Sequence, residues 1–307
     1  MISVIVPCFN EREVLPAMYA ELERVRKEDF CGVAEFEYIF VDDGSSDGTV
    51  GFIKELRRSD KRVRFISFSR NFGKEAAISA GLQAAKGDLV TLMDADLQDP
   101  PSLLKTMYDA IVNEGYEQVA TRRVTRKGEP PLRSFCARMF YKLINSASDF
   151  EMTAGARDYR LMTRKVVDAI LSLPEKSRYS KGIFSFVGFR TKWIPYENVE
   201  RAAGKTKWSF RKLFRYATDG LISFSDLFLK FSRFLCALFF IFFFALAISS
   251  VILKNSALAV LGVGFLVGGT VLVSQSVNGK YLEQTFREVK QRPLYIISET
   301  ERDGEKE

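Results

Sequence analysis

Asp94, Asp96, Gln98 and Asp99 stand together in Asp94-Ala-Asp96-Leu-Gln98-Asp99-Pro100, directly after the apolar run Leu89-Val-Thr-Leu-Met93. Residues i and i+2 of an extended segment face the same way, so Asp94 and Asp96 aim two carboxylates at one point beyond a strand end. Hard divalent cations bind such oxygens, and Mg²⁺ takes one or two carboxylates with substrate phosphates and water completing its shell. Gln98 adds a neutral oxygen on the same side. A second cluster, Asp42-Asp43-Gly44-Ser45-Ser46-Asp47-Gly48-Thr49, follows the apolar Tyr38-Ile-Phe-Val41. Ser46 or Asp47 serves there as a helix cap, whereas capping does not need Asp42 and Asp43 at the strand end, where a carboxylate can accept a base N–H. A third cluster, Pro7-Cys-Phe-Asn-Glu11, follows the first apolar run. A lone Asp-x-Asp is more often a solvated turn than a metal site. Three successive apolar runs that each end in polar residues argue for a ligand edge.

The elements that would position these clusters alternate. Strands are predicted over 2–6, 36–41, 63–68, 88–93 and 116–121, with helices over 14–27, 48–58, 74–85 and after Pro100-Pro101. This pattern predicts a mainly parallel sheet covered on both faces. Ligands in such sheets bind beyond the carboxyl ends of the strands. No G-x-G-x-x-G follows the first strand, which excludes a dinucleotide-binding Rossmann enzyme. There is no internal repeat.

Composition narrows the chemistry further. The 307 residues contain no histidine, which excludes Ser-His-Asp triads, Cys-His dyads, His-ligated zinc and histidine proton shuttles. Cys8, Cys31, Cys136 and Cys236 form no C-x-x-C pair and match no zinc or disulfide framework, so they read as reduced thiols. The net charge is +7, and most of it sits between Arg201 and Arg233, where eight basic residues meet two acidic ones.

That basic stretch leads into Phe234–Leu253, 20 uncharged residues that span about 30 Å as a helix, the thickness of a bilayer core. Lys254-Asn255 interrupts, and Ser256–Val277 is uncharged again. The pair predicts a transmembrane hairpin with its outer ends on one side. Lys230, Arg233, Lys280, Arg287, Lys290 and Arg292 flank those outer ends against Lys254 in the loop, so the N-terminal part and the C-terminal tail are expected in the cytoplasm. Trp208–Phe231 mixes aromatic, Leu and basic residues and reads as amphipathic helix on the anionic leaflet. No nucleic-acid motif accompanies it. Gly264 and Gly268 form a GxxxG, which suits either packing against the first span or oligomerisation. The expected organisation is a catalytic domain over 1–205, interface helices over 206–232, a hairpin over 233–279 and a tail over 280–307.

The blocks PCFNE, VDDGSSDGT, SRNFGKEAAISAGLQAAKGD, DADLQDPP, DYRLMTR and RAAGKTKW, in this order and followed by the hairpin, resemble family 2 glycosyltransferases that charge a polyprenyl phosphate. The nearest group is the bactoprenol (undecaprenyl-phosphate) glycosyltransferases, kin to dolichol-phosphate mannose synthase. The resemblance covers residues 1 to about 295 and implies a GT-A, Rossmann-like nucleotide-sugar domain. It implies that Pro7, Phe9, Glu11 and Asp42 form the nucleotide pocket and that Asp94, Asp96 and Gln98 hold Mg²⁺ or Mn²⁺ and the diphosphate. Arg122 resembles a donor-side arginine. Asp96, Asp158, Arg201 and Lys207 are implied in catalysis, the last two as basic residues that gate the donor and hold phosphate. Phe9 stands where the family has Tyr, keeping the apolar face without the hydroxyl. Ala156-Arg157 precede Asp158 where close relatives have Gly-Asp.

The implied reaction moves a hexose, from a UDP-sugar by expectation, to undecaprenyl phosphate at the inner-membrane face, with inversion. A phosphomonoester with a second pKa near ~6 is already largely dianionic at neutral pH, which suits a chain without histidine. Two other classes were weighed. A processive polysaccharide synthase needs more spans and a QxxRW block, and neither Trp193 nor Trp208 has that context. A non-catalytic membrane scaffold would not need Asp42, Asp94, Asp96, Gln98, Arg201 and Lys207 together.

Overall fold

Strands β1 (Ile2–Cys8) and β2 (Phe36–Asp42) are apolar almost throughout and buried on both faces, as strands flanked by helices on both sides must be. They pair in parallel, Ile2 opposite Phe36 through Cys8 opposite Asp42. β3 (Val63–Phe68) extends the parallel set beyond β2, and β4 (Leu89–Leu92) lies parallel to β1 on its other side. The computed structural model describes residues 1–124, 131–148, 150–197, 218, 220–253 and 256–303. Arg201, Lys207 and all but the last part of the basic amphipathic stretch lie outside the described residues.

The intervening helices cover the two faces. Leu15, Met18, Leu22 and Val25 of α1 (Leu15–Asp29), Ile53 of α2 (Thr49–Ser59), and Leu104 and Met107 of α4 (Leu103–Glu114) share one apolar core. On the opposite face lies the alanine-rich α3 (Lys74–Ala84). It sits so close to the sheet that a Cβ on Gly81 would come within 2.3 Å of Ile5 Cγ2. This fixes the N-terminus of α3, with Lys74, at the carboxyl edge of the sheet.

The second half of the domain departs from the mainly parallel expectation. β5 (Gln118–Arg123), α5 (Pro131–Ala147), β6 (Ala156–Thr163), α6 (Arg164–Ser172), α7 (Ser180–Phe186) and β7 (Thr191–Tyr196) follow. β6 inserts between β4 and β5, antiparallel to both, and β7 pairs in parallel with β5. An eighth strand, β8 (Ile297–Thr300), runs antiparallel along β3, giving the order β7-β5-β6-β4-β1-β2-β3-β8. Of the segment 280–307, expected as a tail, the described residues 280–303 contribute a helix end and a strand at the sheet edge. Lys54 Nζ holds Glu299 at 2.6 Å and Arg64 holds Glu301 at 2.9 Å.

Between β7 and β8 stand two long helices, α8 (Leu227–Leu253) and α9 (Ser256–Val289), packed against one another. Among the described residues one helix is long and apolar enough to cross a membrane, over Leu227–Ser250 with a mean hydropathy of 2.4. Its Phe240, Ile241, Phe244 and Ile248 are exposed, the surface expected of a helix solvated by lipid. Of the glycines in α9, Gly262 lies 3.8 Å (as a Cβ) from Leu246 of α8, whereas Gly264 and Gly268 meet no neighbour within 4 Å among the described residues. Both outer ends of the pair are rooted in the domain. Leu227 and Phe228 pack on a core of Ile144, Met152, Tyr179 and Leu221, and Glu288 of α9 accepts the Lys176 and Ser177 N–H groups.

Candidate functional site

The first two loops at the carboxyl edge are stitched to each other. Asn10, with φ at 53°, donates its N–H to Ser45 Oγ and accepts the Ser46 N–H on its side chain. Glu11 N–H donates to Thr49 Oγ1, and Arg12 N–H to Asp47 Oδ2. Asp47 also accepts the Thr49 N–H, so it does satisfy a first-turn donor of α2, from one position before the N-cap Gly48. Ser46 instead serves the neighbouring loop. These bonds bring Pro7, Phe9, Glu11 and Asp42 to adjacent strand ends, all but Asp42 half-buried. Asp42 is buried and accepts from Ser67 Oγ at 3.0 Å and from Ser45 N–H.

Asp43, the second carboxylate at this strand end, accepts backbone N–H groups and shapes the third loop. It accepts the N–H groups of Phe72 and Gly73 at 2.6 and 2.9 Å. Burial pushes its carboxyl above the usual range, against the pull of those N–H groups. Gly44, at φ 70°, lets the two loops touch, since a Cβ there would lie 2.5 Å from the Arg70 carbonyl carbon. Asp43 and Gly44 together hold the turn from which α3 starts.

Lys74, the first residue of α3, occupies the centre of the site. Its Nζ lies 2.6 Å from Asp94 Oδ1 and 2.5 Å from Asp158 Oδ2. The sheet register explains the meeting: Leu92 of β4 opposes Arg160 of β6, so two residues further on Asp94 faces Asp158. Met93 and Ala95 are buried in the core shared with α1 and α4, which turns Asp94 toward the α3 face. β4 ends at Leu92, so Asp96 is carried by a tight turn rather than by an extended strand. Asp96 Oδ1 accepts the Gln98 N–H at 3.2 Å around Leu97, whose φ is 56°.

The charges of this cluster fix one another. Burial alone would raise the pKa of Asp158, but Lys74 and then Lys181 more than offset it and hold the carboxyl well below the usual carboxylate range. Burial likewise works against the Lys74 ammonium, and Asp158 and Asp94 hold it well above lysine's usual range. Asp158 Oδ1 is buried and has no hydrogen-bond partner among the described residues. Next to Lys74, Glu75 accepts from the Ser180 N–H at 3.0 Å and from its hydroxyl, which pins α7 to α3.

A buried pair lies behind the Asp94 turn and was not legible beforehand. Asp99, 1% exposed, is held by Arg157 in two bonds of 3.0 and 3.2 Å and by the Tyr196 hydroxyl. Burial raises the Asp99 carboxyl despite Arg157. The pair anchors the turn to β6 and β7. Arg122 stands exposed at the end of β5, opposite Ala156 of β6. On the Asp158 face of the sheet, a cavity of about 300 Å³ lies between β5–β6–β7 and α7, lined among others by Gln118, Glu151, Arg160, Lys181, Phe184 and Trp193. Burial pulls Arg160 down to about 9, still charged at neutral pH. It donates to Gln118 Oε1 and lies 3.6 Å from the Phe184 ring centre.

Two carboxylates and one amide are a donor set for a hard divalent cation. Among the described residues no three Asp, Glu, His or Cys side chains converge on one point, so a cation held by this donor set would need diphosphate and water to complete its shell. The residues present therefore fit such a cation.

The glycosyl transferase family 2 signature matches residues 3–171. The chain is 39% identical to the uncharacterized glycosyltransferase sll0501 of Synechocystis sp. PCC 6803, over 97% of this chain and 95% of that one. It is 36% identical to the bactoprenol glucosyl transferase of Shigella phage SfII, over 98% of each. Its fold matches the glucosyl-3-phosphoglycerate synthase of Mycobacterium tuberculosis, solved with Mn²⁺, uridine diphosphate and phosphoglyceric acid, at a TM-score of 0.50 and 17% identity, over 72% of this chain and 76% of that one. With a mixed sheet of GT-A type, a carboxylate edge and this span of similarity, the chain is a glycosyltransferase and belongs to family 2.

Proposed function

We propose that this glycosyltransferase moves a hexose from a nucleotide sugar, a UDP-sugar by preference, to the phosphate of a polyprenyl lipid at the cytoplasmic face of the membrane, with inversion. The observation that carries the reading is the direct structural link between the catalytic edge and the root of the membrane helices. Lys74 neighbours Glu75, Glu75 holds Ser180, and Tyr179 packs with Phe224, Leu227 and Phe228 where α8 begins. That link would bring an acceptor phosphate at the bilayer surface beside the donor site. The near full-length similarity to bactoprenol glucosyl transferases, helices included, supports the same acceptor.

Asp94, Asp96 and Gln98 would hold Mg²⁺ or Mn²⁺, which supplies Lewis-acid stabilisation of the departing nucleoside diphosphate. The Mn²⁺ and uridine diphosphate of the mycobacterial fold relative support this choice. Pro7, Phe9, Glu11 and Asp42 would form the nucleotide wall, and Arg122 would face the donor phosphates. The acceptor phosphate, already anionic, attacks the anomeric carbon from the face opposite the leaving group without a protein base. Asp158 remains a carboxylate through neutral pH and orders the cations around it. Both α8 and α9 would cross the bilayer, leaving the catalytic domain and both termini in the cytoplasm. The docking of both outer ends on one domain supports that topology. The Gly264 and Gly268 face, open on this chain, would serve a homo-oligomer.

The test is a panel of labelled nucleotide sugars offered with undecaprenyl phosphate in detergent, the lipid product resolved by chromatography. One sugar per lipid is expected, lost with EDTA and restored by Mg²⁺ or Mn²⁺. Polymer on the lipid would favour a processive synthase, and no product with any donor would favour a scaffold.

Arg201 and Lys207 separate catalysis from surface charge. Each juxtamembrane basic residue contributes about 1 kcal/mol to binding an anionic leaflet, a small part of the attachment of a chain with spanning helices. A cation facing the diphosphate should lower the barrier by about 2–4 kcal/mol, by analogy with one preorganised donor, or roughly 30- to 1000-fold. Arg201→Ala and Lys207→Ala are expected to cut turnover at least ~10-fold, with Lys212→Ala and Arg215→Ala within ~3-fold. Equal losses across all four would reduce the segment to a membrane anchor.

A further inference from the structure

Lys74 touches a proposed metal ligand and the buried carboxylate across from it with one ammonium group, 2.6 Å from Asp94 Oδ1 and 2.5 Å from Asp158 Oδ2. A divalent cation bound to Asp94 would stand within a few ångströms of that ammonium. Like charges so close repel strongly in a half-buried setting, and the side chains of Lys74 and Asp94 are only 31% and 23% exposed. The lysine stem is flexible and its three donors rotate. A second acceptor is also within its reach. Asp158 Oδ1 is buried without a hydrogen-bond partner among the described residues, on the same carboxylate whose other oxygen Lys74 already holds. A buried acceptor left unpaired is costly, so a lysine released from Asp94 gains by turning wholly to Asp158.

We propose that Lys74 is an exchangeable counter-ion of the active site. It shares Asp94 with the divalent cation and shifts entirely to Asp158 when the cation binds, which couples cation binding to the setting of Asp158. Lys74 is thus a positioning residue that tunes cation affinity downward. The inference rests on the reading of Asp94 as a metal ligand.

The test measures Mn²⁺ binding to the purified full-length protein without nucleotide, from the electron paramagnetic resonance signal of free Mn²⁺. Lys74→Met keeps length and removes charge. It should bind Mn²⁺ about tenfold tighter or more and yet turn over more slowly. A lysine with only a structural role would weaken both. Lys74→Arg should stay within about threefold of the parent affinity, and Lys181→Met, which removes a cation near Asp158 without touching Asp94, likewise. Asp158→Asn should weaken Mn²⁺ binding, because Lys74 then concentrates on Asp94, and this effect should shrink to within about threefold in the Lys74→Met background. If Lys74→Met folds poorly the same cycle is read from Lys74→Gln with Asp158→Asn, and if Asp158→Asn folds poorly it is read from Lys74→Met with Asp158→Ala. Unchanged or weaker Mn²⁺ binding by Lys74→Met, or additive effects in the cycle, would overturn the exchange. Asp94→Asn separates the two levels. If it leaves Mn²⁺ binding intact, the metal reading of Asp94 fails. If it abolishes binding while Lys74→Met does not tighten it, only the exchange fails.

Discussion

Asp96→Asn is expected to reduce glycosyl transfer by roughly 30- to 1000-fold while leaving the protein folded. Asn is the informative replacement. Its amide oxygen can still accept the Gln98 N–H that shapes the turn at 3.2 Å, so the backbone around Leu97 at φ 56° is kept and only the charge is lost. The proposed divalent cation would lose one of its two anionic ligands, and the stabilisation of the departing diphosphate would fall with it. The measurement is turnover at saturating donor across a Mn²⁺ titration, with thermal unfolding in parallel. Stability should change by less than about 1 kcal/mol, as for a residue away from the core. Full turnover by Asp96→Asn would remove Asp96 from the metal site.

Arg157→Ala should have the larger effect on stability. Asp99 is 1% exposed and takes two bonds from Arg157. Without the guanidinium it keeps, among the described residues, the Tyr196 hydroxyl. Removing one partner of a buried pair costs about 3–5 kcal/mol, and the 23% exposure of Arg157 favours the lower end. At about 2–4 °C per kcal/mol for a domain of this size, the melting temperature should fall by about 6–12 °C. The loss should depend on pH with a definite sign. Burial already raises the Asp99 carboxyl in the parent, and without Arg157 it rises further. A group whose folded pKa lies above its unfolded value contributes stability at low pH that is lost as pH rises. The deficit of Arg157→Ala should therefore be smaller at pH 5 than at pH 8. Arg58→Ala, at an exposed helix end, is the control and should stay within about 0.5 kcal/mol. A melting temperature for Arg157→Ala equal to that control would mean that Asp99 needs no partner.

The sequence was most legible where periodicity and chemistry agree. The strands β1 to β5 follow apolar runs, and the polar clusters at their ends lie along one edge, as the alternation predicts. β6 escaped because it reads ARDYRLMT. Its charges look like a loop until Arg157 finds Asp99, Asp158 finds Lys74 and Arg160 finds Gln118, all partners distant in sequence. β7 carries Pro195, which an interior strand would not tolerate but this edge strand does. β8 is four residues within a charged segment, and its partners Lys54 and Arg64 lie more than two hundred residues earlier. The same distance hid Lys74. It stood within the SRNFGKE block, yet only the antiparallel register of β6 on β4 brings Asp158 to it. Asp43 was masked by its neighbour Asp42, since adjacent residues on a strand end look alike until one is seen to bind the next loop.

β8 gives the chain a timetable. The edge of β3 that β8 covers is made of Val63–Phe68, and its partner strand is synthesised about 230 residues later, after both long helices. At about 5–20 residues per second of translation, that edge waits roughly 10–45 s. An open strand edge is a template for pairing with other chains. On the proposed topology the two helices would find their place in the bilayer before the sheet could be closed, and a delay in membrane insertion would prolong the interval in which this domain is prone to aggregate.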